Sequence, residues 1–203
     1  EGNFDDCQNI IKKLFVDKEM QENTTLTAIN SINWARIMAQ TVYYFWAYLQ
    51  LNEERISFIV PSGNFGNVFS ARVAKNMGLP IDKLHVATNL NDTLHQSILK
   101  GKMIVNNVCE TYSPSMDIQI SSNFERQIYE SLEADSVEVI KVMNHLHKYK
   151  SYQFDSDITK KFQNIYNSTS VSNDDTLKTI SLFNQKYDYL ADPHTATGLY
   201  VLE

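Results

Sequence analysis

Apolar positions along the chain change rhythm between Ser57 and Pro80, and that change predicts the central elements. Ser57-Phe58-Ile59-Val60 is an uncharged, β-branched and aromatic run, the composition of a strand buried on both faces of a parallel sheet. Pro61-Ser62-Gly63-Asn64-Phe65-Gly66-Asn67 then breaks the run with residues that tolerate positive φ or cap helices. From Val68 the period becomes helical: Phe69, Val73 and Met77 recur at every fourth position beside Ala71 and Ala74, and Gly78 and Pro80 supply a stop. Lys83 to Thr88 reads as the next strand, which completes a β-α-β unit.

Before this unit, Phe4 to Phe15 has a helical stripe of Ile10, Ile11, Leu14 and Phe15. Such a helix normally follows a strand in a parallel sheet, so a strand is expected upstream of Glu1. Asn23 to Asn33 suits a loop. Trp34 to Leu51 predicts a long helix that is apolar nearly all round and therefore interior, with Tyr43-Tyr44-Phe45-Trp46 as core. After the unit, Met103 to Val108 reads as a short strand, and the segment opened by Tyr112-Ser113-Pro114-Ser115 becomes helical through Asn123-Phe124-Glu125-Arg126. Residues 131 to 190 are almost entirely helical in pattern. Asp135 with Glu138 resembles a capping box, and Asp174 or Asp175 is expected to cap a helix carrying Leu177, Ile180, Phe183 and Tyr187. A last helix starts at or just after Pro193. The fold class expected is α/β, an open parallel sheet with flanking helices, helix-rich in its C-terminal half, as a single domain over residues 1–203.

Composition narrows the function classes. The chain is 43% hydrophobic and 21% charged, ordinary for a domain able to bury a core. A net charge of -6 and the absence of any Lys/Arg cluster beyond Lys12-Lys13 and Lys160-Lys161 argue against a nucleic-acid partner. Cys7 and Cys109 fit two thiols in a reducing compartment. The most apolar stretch, Ile37 to Leu51, is interrupted by Gln40 and Gln50 and falls short of the roughly 20 residues of a membrane span, so a cytoplasmic location without membrane partner is expected. Glu1 in place of an initiating Met, and a terminal Leu202-Glu203 that looks like a vector junction, suggest a piece of a longer protein.

The candidate chemistry lies in the loop. At the junction of a strand and a helix, Gly63 and Gly66 allow close backbone approach, and several N–H groups plus the helix dipole converge on one point. Asn64 and Asn67 can add side-chain donors. The loop reads either as an anion cradle or as an ordinary β-to-α turn. It lacks the third glycine of the dinucleotide fingerprint and the Gly-Lys-Ser/Thr ending of a P-loop, which favours a ligand smaller than a nucleotide. Its position at a strand's carboxyl end is where open α/β sheets bind ligands. Asn89-Leu90-Asn91-Asp92 is a second polar loop at that edge, lining a site or capping the helix near Thr93. Arg36 could clamp a carboxylate or phosphate or be a helix residue paired with an acid, and the structural role is favoured. His145 and His147 fall on different faces of a helix, which argues against a metal site. His194 reads as structural.

Several stretches resemble the threonine synthase family, pyridoxal-phosphate (PLP) enzymes of fold type II, the tryptophan synthase β-like fold. They are Glu1-Gly2-Asn3-Phe4-Asp5-Asp6-Cys7-Gln8, Asn30-Ser31-Ile32-Asn33-Trp34-Ala35-Arg36, the loop itself, Ala87-Thr88-Asn89-Leu90-Asn91-Asp92, Ser113-Pro114-Ser115-Met116-Asp117-Ile118-Gln119 with Ser121-Ser122-Asn123-Phe124-Glu125-Arg126, and Asp192-Pro193-His194-Thr195-Ala196. They occur in the family's order; residues 127–190 resemble it least. The resemblance implies PLP as cofactor and conversion of O-phospho-L-homoserine and water to L-threonine and phosphate. It implies that Gly63, Asn64, Phe65, Gly66 and Asn67 hold the cofactor phosphate, through backbone N–H groups of Gly63, Phe65 and Gly66 and side chains of the two asparagines. It places Asn30, Ser31, Asn33, Asn123 and Arg126 on the substrate side. The family's Schiff-base lysine sits in a Phe-Lys-Asp context upstream of Glu1, and the stretch facing the pyridine nitrogen is expected beyond the C-terminal residue. On this reading the chain by itself has no catalytic lysine and is inactive alone. The rival expectations are a non-catalytic module binding PLP or a phosphorylated metabolite, and a serine or threonine dehydratase of the same fold.

Overall fold

The computed structural model describes residues 4–27, 29 and 32–202. Asn30 and Ser31, like Glu1-Gly2-Asn3 and Glu203, lie outside the described residues. In order, the elements are α1 (Phe4–Val16), α2 (Lys18–Asn23), α3 (Trp34–Gln50), β1 (Ile56–Pro61), α4 (Gly66–Asn76), β2 (Ile81–Thr88), α5 (Thr93–Lys100) and β3 (Lys102–Ile104). There follow α6 (Phe124–Ser131), α7 (Ser136–Tyr149), β4 (Ser151–Gln153), α8 (Ser156–Ile165), β5 (Tyr166–Ser170), α9 (Asn173–Tyr187) and α10 (Pro193–Leu199). Among the described residues no helix is long and apolar enough to cross a membrane.

The sheet has the order β1-β2-β5 with every pair parallel. Its register sets Pro61 opposite Ala87 and Ala87 opposite Thr169. The loops that leave the three strands therefore emerge at one carboxyl edge, and that edge carries the candidate loop. This matches the expected open parallel sheet with flanking helices.

The core lies between the sheet and the helices on it. Val60, Val68, Phe69, Ala71, Leu84, Val86, Ile128 and Phe162 are buried there. The β-branched run Ile56–Val60 and the run Leu84–Ala87 suit a pleated surface. α4 ends where the backbone of Gly78 takes φ 104, a conformation glycine adopts without a Cβ clash.

Four expectations need correction. β4 and β5 both fall in the stretch read as helical, and β5 joins the main sheet. Its sequence, Tyr-Asn-Ser-Thr-Ser, has no apolar alternation, and only Tyr166 is fully buried; pairing with β2 makes it a strand. The strand expected at residues 103–108 is the shorter β3, antiparallel to β4 in a separate two-stranded sheet. α9 is capped by Ser172, whose Oγ accepts from the Asp175 N–H, and it buries Thr176 and Thr179 while Leu177 is exposed. α3 is not interior: it buries Ile37, Thr41 and Tyr44, while Tyr43, Trp46 and Leu49 stay exposed. An all-round apolar composition cannot say which faces find a partner.

Candidate functional site

The loop of interest enters α4 through Phe65, whose backbone is left-handed at φ 62 and ψ 4. Phe65 is the N-cap residue, and its own side chain makes no cap hydrogen bond. Its own N–H donates to the Ser62 hydroxyl at 3.0 Å, and its carbonyl accepts the first helical bond, from Phe69 N–H at 2.9 Å. The N–H groups of Gly66, Asn67 and Val68 have no acceptor inside an α-helix by its geometry. Gly66 and Val68 are nonetheless buried. A buried, uncapped helix start at the carboxyl edge of a parallel sheet is electrostatically suited to a phosphate or carboxylate.

A bulky residue does not hold a left-handed conformation unaided. Here the Phe65 side chain is fully buried, with its ring edge-on to Phe124 at 5.1 Å and to Tyr166 at 5.4 Å. Packing therefore fixes the turn. Gly63 is required on its other side: a Cβ there would sit 2.8 Å from Met116 Cα, because the short 3-10 turn Pro114–Met116 lies against the loop backbone. The Ser121 hydroxyl donates to the Gly63 carbonyl. The Asn64 side-chain oxygen accepts from Ser122 N–H at 2.8 Å and from its hydroxyl at 2.7 Å. The Asn67 amide meets α3, its oxygen accepting from the Tyr44 hydroxyl and its nitrogen donating to Gln40 at 3.2 Å.

The structure brings together two stretches far apart in sequence beside this loop. Asn123 donates to the Asn64 carbonyl from its backbone N–H at 3.3 Å and its side chain at 3.2 Å. Its own oxygen accepts from Arg126 Nε at 3.1 Å, and Arg126 Nη2 donates to the Ile32 carbonyl at 2.8 Å. The guanidinium lies 5.4 Å from the centre of the Trp34 ring, and burial pushes its pKa down. A cavity of about 620 Å³ adjoins this chain of contacts, with Trp34, Phe69, Asn123, Arg126 and Tyr129 among its walls. Asn33 is the N-cap of α3, its side chain accepting from Ala35 N–H at 2.9 Å. Arg36 donates to the Ile29 carbonyl at 2.9 Å, a main-chain partner in place of the acid its structural reading expects.

The second polar loop is a latch. Asn89 and Asn91 are buried and donate to Asp117 at 2.8 and 3.0 Å, while Asp117 also accepts from Thr111 N–H and hydroxyl. These bonds hold residues 109–119, and hence the Met116 turn, at the sheet edge. Asp92 makes no side-chain cap bond to α5. From the far end of the chain, α10 packs Gly198 on Pro61, where a Cβ would meet Pro61 Cγ at 2.9 Å. His194 accepts from Ser115 N–H at 3.3 Å and contacts Asp192 through Nδ1 at 3.1 Å. Sequence reasoning missed Tyr44, Ser121 and Met116 as supports of the loop. Their partners are 23 to 58 residues away, and the small polar Ser121-Ser122 before a helix was the one local signal.

No protein-family model matches the chain. Threonine synthase of Pseudomonas aeruginosa is 41% identical over 201 residues, 98% of this chain and 43% of that protein. The Saccharomyces cerevisiae threonine synthase is 41% identical over 221 residues, covering 100% of this chain and 43% of its own length. The crystal structure of PLP-bound threonine synthase from Brucella melitensis superposes with a TM-score of 0.90 at 44% identity, covering 99% of this chain and 44% of that one. The chain thus spans somewhat less than half the length of the curated relatives it matches, and over that span it is homologous, in sequence and in fold, to the threonine synthases.

Proposed function

We propose that this chain supplies the cofactor-phosphate cradle of a threonine synthase, and that the protein containing it converts O-phospho-L-homoserine and water to L-threonine and phosphate. The observation that carries the reading is the buried, uncapped start of α4, held open by the left-handed Phe65. PLP suits this site: its phosphate is an anion that the N–H groups at an uncapped helix start can hold. The Phe65 N–H is taken by the Ser62 hydroxyl and the Asn67 side chain by α3, so the anion is assigned to the N–H groups of Gly66, Asn67 and Val68 instead of the expected Phe65 N–H and Asn67 amide, and Phe65 anchors the loop. When bound, PLP supplies the electron sink for carbanion chemistry. The chain's residues bind and orient it.

Asn123 bonds the cradle and Arg126 bonds Asn123, and we assign these two, with Asn30, Ser31 and Asn33, to the substrate side. The relay from Asn64 through Asn123 to Arg126 and Ile32 supports this, because it ties the cradle to the segment just before α3. The Schiff-base lysine is assigned to a part of the protein other than these residues.

The test is release of phosphate and formation of L-threonine from O-phospho-L-homoserine by the whole protein loaded with PLP. Equal amounts of the two products are expected. Deamination of serine or threonine without phosphate release would place the protein among the dehydratases. PLP binding with no turnover of any of these would make it a binding module.

A further inference from the structure

Tyr44 belongs to the aromatic run of α3, of which one face is exposed, yet Tyr44 itself is only 4% exposed. Its ring packs edge-on against Phe58 of β1 at 4.8 Å and 90°. That contact fixes the hydroxyl relative to the strand that feeds the loop. The hydroxyl donates to the Asn67 backbone carbonyl at 2.8 Å and to the Asn67 side-chain oxygen. Burial raises the Tyr44 pKa far above its ordinary value, so the group remains a neutral donor. Gln40, one turn earlier on the same face, accepts from Asn67 Nδ2 at 3.2 Å. Ser70, one turn further into α4, donates to the Ile37 carbonyl at 2.9 Å. Ile37, Gln40 and Tyr44, at i, i+3 and i+7, thus present one face of α3 that grips the first two turns of α4.

We propose that Tyr44, assisted by Gln40, is a positioning residue of the cradle. By holding both ends of the Asn67 side chain on α3, it keeps that side chain off the open start of α4, so that the Asn67 N–H stays available to the anion. Asparagine side chains readily bond to neighbouring backbone N–H groups at helix starts. Released from α3, the Asn67 amide competes with the ligand for the N–H groups of its own turn. This inference rests on the phosphate-cradle reading above.

The experiment compares dissociation constants for PLP and for pyridoxal, which lacks the phosphate, in the whole protein carrying Tyr44 or Tyr44→Phe. Loss of one buried hydrogen bond predicts a roughly fivefold to tenfold weaker PLP affinity in Tyr44→Phe. Pyridoxal affinity is expected to stay unchanged, and the phosphorus resonance of bound PLP to move. Gln40→Leu should show a smaller loss with the same selectivity for PLP. Unchanged PLP affinity in Tyr44→Phe, or equal weakening toward both compounds, overturns the positioning role. A wild-type protein that binds pyridoxal as tightly as PLP overturns the cradle itself, an outcome distinct from the failure of Tyr44 alone.

Discussion

Phe65 offers the most informative single perturbation, because two of its properties act in opposite directions. Its ring is fully buried between Phe124 and Tyr166, and removal of such a ring costs about 3–5 kcal/mol. Its backbone is left-handed at φ 62, which costs a residue with a Cβ about 1–2 kcal/mol. Phe65→Ala loses the ring and keeps the strain, whereas Phe65→Gly loses the ring and relieves it. Glycine also loses more unfolded-state freedom on folding, a disadvantage of about 0.4–1 kcal/mol. The difference leaves Phe65→Gly more stable than Phe65→Ala by about 0.5–1 kcal/mol, reversing the usual order at ordinary backbone positions. Equilibrium urea unfolding of the two variants against the parent, with a common m-value, measures the ranking. An alanine variant more stable than the glycine variant would refute the left-handed turn, and with it the presentation of the α4 amides.

Other expectations follow from the supports of the site. Gly63→Ala should destabilise the fold by about 1–3 kcal/mol, because the new Cβ meets main-chain rather than flexible atoms at Met116; calorimetry of the unliganded protein separates this loss from any change in PLP affinity, and an unperturbed melting curve would contradict it. Asp192 caps α10, and the Thr195 hydroxyl leads the hydrogen bonds that hold its pKa down to about 2. A carboxylate depressed in the folded state stabilises above its unfolded pKa of about 3.9 and loses that contribution as pH falls through the folded value. Asp192→Asn should therefore flatten the stability profile between about pH 4 and pH 2, and an unchanged slope would count against the cap. His85 is pushed down by burial and then by neighbouring His95, so its unfolded form binds protons that the folded form resists. Stability should fall as pH drops below about 6.5, and His85→Gln should reduce that slope, provided the contact of its ring with Thr169 at 2.9 Å is replaced by the amide.

The parts of the fold legible in the sequence are those whose cause is local. The change from an unbroken apolar run to a four-residue period marks β1, the loop and α4 because burial on two faces and on one face leave different patterns. Asp135 and Pro193 announce helix starts because a cap or a fixed φ acts within one turn. β5 carries no such mark: four of its five residues are polar, and only the register with β2 defines it. The exposure of α3 was equally hidden, since Tyr43 and Tyr44 are adjacent and alike but only the second finds a partner in Asn67. At the site, the glycines and asparagines gave the loop away, while what they do depends on distant partners. Gly63 faces Met116, Asn64 faces Ser122, and Asn67 faces α3. Only Ser122, in the small polar pair before a helix, has even a local hint, and the Gly63 and Asn67 pairings have none.

The most direct test of the central claim is a crystal structure of the protein with PLP bound. The account predicts the cofactor phosphate at the start of α4, within hydrogen-bond distance of the N–H groups of Gly66, Asn67 and Val68, with Phe65 still left-handed. A phosphate seated anywhere else, with the Gly63 to Asn67 loop making no contact to it, would contradict the account.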